Sequence, residues 1–167
     1  MSTTSEALAA GVESLAGRFD DETRDIEDEE WLARPEPGLH SIAWMLGHAV
    51  ILLARLAGAV DRLPSWKDEF LDEAVVDEEP DRWPNLGQLR KAMRGQIKHL
   101  AAAWRGRDDG AWGAPASDDA SPPARTLAQA TQLSLQHLSS HLGRIGVLLH
   151  LIRAKEERRR SQRRRLS

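Results

Sequence analysis

The chain of 167 residues has no cysteine. It therefore forms no disulfide and offers no thiolate, so a bound transition metal has to be held by histidine or carboxylate. No period of 20–50 residues repeats, which argues against a solenoid. No segment alternates apolar and polar residues for long enough to make a strand. The opening MSTTSEALAAGV lacks a basic region followed by an apolar core, so no signal peptide is expected and the cytoplasm is the expected compartment. Long apolar runs are also scarce. The one stretch near bilayer length, Ser41 to Val60, carries His48 and Arg55 near its middle and has no companion. It reads as a helix buried in a bundle, and no membrane partner is expected.

What is present is helical periodicity, in a chain long enough for one domain with one core. A first helix is expected from about Ser5 to Asp28, with Leu8, Val12, Leu15, Phe19 and Ile26 along its seam. A second is expected from Ser41, a natural N-cap after the Pro35, Pro37 and Gly38 breaker, to about Asp61. The acidic stretch Leu63 to Pro84 is a long crossover anchored by Trp66, Phe70 and Trp83, suited either to pocket wall or to packing. A third helix runs from near Asn85 to near Gly106, burying Leu86, Leu89, Met93, Ile97, Leu100 and Trp104. After a loop rich in Gly, Pro, Ser and Asp, with Trp112 as its one apolar anchor, Thr126 caps a fourth. The fold class is all-α, a four-helix bundle with a long crossover between the second and third helices.

Charge is uneven. From Arg153 onward the sequence carries +6, which leaves −9 on the remainder of a chain of net charge −3. The division expected is a domain over 1–154 and a basic, flexible segment over 155–167. Such a segment suits an anionic partner or a solvated helix end. No aromatic residue lies among its arginines to stack on bases, so nucleic acid is not the expected partner.

The candidate site lies on the fourth helix, in HLSSHLGRI. His137 and His141, four residues apart, project the same way. Ala130, Ser134, His137, His141, Ile145, Leu148 and Ile152 share one stripe at about 100° per residue. Inward imidazoles need hydrogen bonds, a partner charge or a metal, and Ser134 or nearby backbone offers the plainer satisfaction. On the second helix His48 shares an arc with Ser41, Met45, Leu52 and Leu56, and so also faces inward. Three protein nitrogens with an open position describe a reactive metal site. His99 and His150 project away from the core. His40, just ahead of the Ser41 cap, is placed to enter the mouth of a pocket, but loop histidines are usually solvated and it stays outside the ligand set. Glu22, near the first helix's seam, either borders the core, as such residues more often do, or reaches inward to support a ligand.

The pairing of PEPGLHSIAWMLGHA with LQHLSSHLGRI resembles the DinB-like family of small bacterial four-helix metalloproteins. Ser41, Ile42 and His48 match the family's first block, and His137, His141, Gly143 and Ile145 its second; Arg144 stands where glutamine is usual. The resemblance implies a metal held by His48, His137 and His141, zinc or nickel foremost, and a homodimer. It also implies chemistry with low-molecular-weight thiols of the bacillithiol or mycothiol type. The leading expectation is a metal-dependent thiol transferase acting on small electrophiles in detoxification or stress response. Arg144 is the candidate for an anionic part of the thiol or substrate, or else pairs with a neighbouring carboxylate. The alternatives are a non-catalytic metal-binding interaction protein, a hydrolase using metal-bound water, and nucleic-acid association through the arginines.

Overall fold

The computed structural model describes residues 3–36, 38–57, 63, 65–70, 83–116 and 126–166. Among these residues are five α-helices, four of them long, and no strand. Helix α1, Thr4–Thr23, begins at a reciprocal cap in which the Thr3 hydroxyl and the Glu6 carboxylate accept from each other's backbone N–H. It buries Ala9, Val12, Leu15 and Phe19. It ends at Thr23 and not at Asp28: the Arg24 backbone N–H turns back to the Asp21 carbonyl at 3.4 Å, closing the last turn with a tighter, 3-10-type bond. A one-turn helix, α2, Asp28–Trp31, follows, capped by Glu27 and Glu30.

Helix α3, Ile42–Leu56, starts at Ser41, whose hydroxyl accepts from the Trp44 backbone N–H at 3.1 Å. Every residue from Ser41 to Ile51 is buried, as a central helix apolar on all sides should be. Its expected end at Asp61 falls outside the described residues, as do 71–82 of the crossover and 117–125 of the later loop. Among the described residues no helix is long and apolar enough to cross a membrane. Residues Ser65–Phe70 of the crossover form a 3-10 turn against α3. There Trp66, Phe70 and Trp83 meet ring to ring.

Helix α4, Leu86–Arg105, is framed by an Asn85–Gln88 capping box and by Gly106, and buries the expected stripe. The following turn is pinned by Trp112, whose indole N–H donates to the Ser5 hydroxyl at 2.7 Å. Helix α5, Leu127–Leu166, begins where Thr126 and Gln129 exchange backbone-to-side-chain hydrogen bonds. It runs through the basic segment to Leu166, so the division expected after residue 154 coincides with no break in the helix. The main contacts join α1 and α3 each to both α4 and α5, a four-cornered bundle with α1 diagonal to α3. The two histidine-bearing helices, α3 and α5, are therefore neighbours.

Arg153 ties α5 to α2. Its guanidinium donates to both Glu30 carboxylate oxygens at 2.6 and 3.0 Å and to the Asp25 carbonyl at 2.9 Å. Arg153 holds the buried Glu30 carboxyl below its ordinary value, against the opposing effect of burial, with the Glu27 backbone N–H assisting. A carboxyl whose folded pKa is depressed stabilises the fold above the unfolded pKa, near 4.5, and loses that contribution as pH falls below it. Thermal unfolding of the wild type and Glu30→Gln should differ by a few degrees at about pH 7 and by less at about pH 3. An equal gap at both would reject this linkage.

Candidate metal centre

His48 lies two turns into α3 and is 3% exposed; His141 on α5 is 2% exposed, and His137, one turn earlier, is half-buried. The three rings converge. Their centroids are 4.4 Å apart for His137 and His141, 5.2 Å for His48 and His141, and 6.0 Å for His48 and His137. One ring nitrogen from each lies within 4.8 Å of the other two. His137 Nε2 and His141 Nε2 are 2.8 Å apart, so both side chains aim at one point. The other histidines expected to face away, His99 and His150, are exposed.

Each ring is aimed by ordinary forces. His48 Nδ1 lies 2.8 Å from the Phe70 carbonyl oxygen. A carbonyl only accepts, so Nδ1 carries the proton, and in the neutral ring the lone pair is left on Nε2. Such a backbone acceptor behind a histidine is the usual way a ligand's tautomer and orientation are fixed. Trp44, one turn before His48, stacks on its ring at 4.8 Å and 11° between planes. The Phe70 ring closes against Gly47, where a Cβ would stand 2.3 Å from a ring carbon. Glycine at that position lets the crossover settle onto α3 and bring its carbonyl to His48.

The donor set fits a divalent metal. Three imidazoles are borderline ligands that suit zinc, nickel, iron or copper, and one of them has a fixed tautomer. Nitrogens sharing a tetrahedral ion at about 2.0–2.1 Å would be roughly 3.3 Å apart, within reach of small ring rotations from the distances here. Glu22 does not belong to this set. It is exposed, and its carboxylate lies beside Gly146 on α5.

A cleft of about 570 Å³ opens beside the cluster, with His141 in its wall. His40, Trp44, Met45 and Arg144 also line it. Of the two places open to His40, it takes the pocket mouth over solvent: it is half-buried and stacks on Trp44 at 3.7 Å. Three rings, His40, Trp44 and His48, run in a column from the cleft to the cluster. Arg144 is exposed and, among the described residues, forms no ion pair.

Residues 12–145 match the family model described as the DinB superfamily. No curated protein matches the chain. A crystal structure of a conserved protein from Enterococcus faecalis aligns with a TM-score of 0.69 at 14% identity, covering 92% of this chain and 99% of that one. At that identity the likeness is one of fold.

Proposed function

This chain belongs to the DinB superfamily, and we propose that its three histidines hold a divalent metal at which a small thiol is transferred to an electrophile. The observation that carries the reading is the convergence of His48, His137 and His141, with His141 in the wall of an open cleft. A site closed by a fourth protein ligand would suit a structural role; one opening on a cleft suits exchange of small molecules. When bound, a divalent ion among three neutral nitrogens keeps its +2 charge and lowers the pKa of a thiol.

The chain's own residues supply holding and placement. Phe70 and Trp44 fix the His48 ring, so the donor set is organised before a ligand arrives. Arg144 receives an anionic group of the thiol or of its acceptor. Trp44 and Met45, both buried, keep water from the inner wall of the cleft. In the reaction the sulfur forms a bond to the electrophilic carbon as that carbon's bond to its leaving group breaks, and the thiol proton leaves with the departing group. The chain has no cysteine and, among the described residues, no carboxylate lines the cleft, which is why the thiol is assigned that part.

The test is turnover of an alkyl halide, an epoxide and an activated aryl halide with a panel of small thiols, using protein loaded with zinc or with nickel. A rate that needs the thiol and disappears on chelation supports the proposal. Metal-loaded protein that accelerates none of these reactions over the thiol alone would leave a non-catalytic metal-binding protein as the better reading.

A further inference from the structure

We propose that the cleft beside the histidines takes an amphiphilic anion, a medium-length apolar chain ending in a carboxylate, with its head at Arg144. The inference rests on the cleft being the substrate side of the proposed metal centre. Of the four large hydrophobic side chains exposed among the described residues, three line this one cleft: Leu39 at 40%, Val147 at 60% and Leu151 at 41%. Scattered exposed leucines need no explanation, whereas a cluster of them in a concavity marks a binding surface. The cleft volume is that of a small-molecule site.

Charge selects the head group. Arg144 lies on the same wall, exposed and, among the described residues, without an ion pair. Its planar fork matches a carboxylate in two hydrogen bonds. Order along α5 gives the polarity of the occupant. At about 1.5 Å per residue, Arg144 is about 4.5 Å beyond His141 along the axis, Val147 about 9 Å and Leu151 about 15 Å. The anionic head thus sits at the histidine end of the cleft, and the apolar chain runs outward past Val147 to Leu151 and Leu39. The roughly 10 Å from Arg144 to Leu151 suits a chain of about eight carbons.

Calorimetric titration of the full chain with octanoate tests this, with shorter and longer straight-chain carboxylates and octanol as comparisons. The titrations are run on metal-loaded and on chelator-treated protein, so that a carboxylate binding the metal is told apart from one binding Arg144. Affinity should rise about two- to fourfold per added methylene and level off near eight carbons. Octanoate should bind metal-free protein at least about tenfold more tightly than octanol, and Arg144→Ala should erase that preference. Val147→Ser with Leu151→Ser, both at exposed positions, should flatten the dependence on chain length. Equal binding of octanol and octanoate to metal-free protein, or no dependence on chain length, overturns the proposal. So does a double variant that turns a dimer into a monomer while octanoate binding stays unchanged, since the apolar wall is then a subunit contact. Metal content and thiol-dependent rate, measured on the same preparations, report separately on the metal reading. Octanoate binding by metal-free protein survives the failure of that reading, and retained metal survives the failure of this one.

Discussion

Alanine in place of His48, His137 or His141 is expected to strip the protein of stoichiometric metal in each case, while the bundle still folds. Three nitrogens from two helices form the whole donor cluster among the described residues, so each replacement leaves two. Changes behind a ligand typically weaken metal binding 10–100-fold; loss of a ligand should exceed that, at about 100-fold or more. The variants should differ in stability in a definite order. His48→Ala removes a 3% exposed ring stacked on Trp44 and leaves the Phe70 carbonyl without its donor, for a cost of about 2–3 kcal/mol. His137 is half-buried and should cost less. Elemental analysis of untagged protein, with thermal unfolding of each variant, reads both quantities. Full metal retention in folded His137→Ala would show that the three rings do not share an ion.

The second large effect is expected far from any ligand atom. Gly47→Ala places a methyl group 2.3 to 2.5 Å from three carbons of the Phe70 ring. The obstacle is a fully buried aromatic ring in the 3-10 turn, so one or other of two chain segments has to move. Overpacking of this kind costs about 1–3 kcal/mol. The same displacement carries the Phe70 carbonyl away from His48 Nδ1, and metal affinity should fall about 10–100-fold with all three histidines intact. Phe70→Leu separates the two effects. It gives up ring contacts but keeps the backbone carbonyl, so Gly47→Ala should lose more metal affinity than Phe70→Leu at comparable loss of stability. A Gly47→Ala protein with unaltered affinity would remove the crossover from the organisation of the centre.

The elements that were legible in the chain are those specified locally. Ser41 and Asn85 announce their helices because a cap is read within four residues. His48, His137 and His141 could be placed because burial on a helix repeats with the helical turn, and inward histidines stand out against aliphatic neighbours. The early end of α1 was hidden because no glycine or proline follows Thr23 until Pro35, so nothing local marks the stop. Phe70 as a hydrogen-bond partner was hidden for a deeper reason. A backbone carbonyl has no residue type, and this one comes from 22 residues away. Gly47 looks like any tolerated helical glycine until the ring it admits is seen, and His40 shows its place only once Trp44 does.

The placement of the histidines on α3 and α5 also bears on chain topology. Positions 48 and 137 are 89 residues apart, and an ion gripped by both closes that span into a ring. The 3-10 turn, α4 and both long connections lie inside it, although none of them supplies a ligand side chain. Closing a loop of this size withdraws conformational freedom worth about 4–5 kcal/mol from the unfolded chain, by the estimate used for covalent cross-links. Helix α4, which donates nothing to the centre, would lie inside the closed ring and share in that stabilisation.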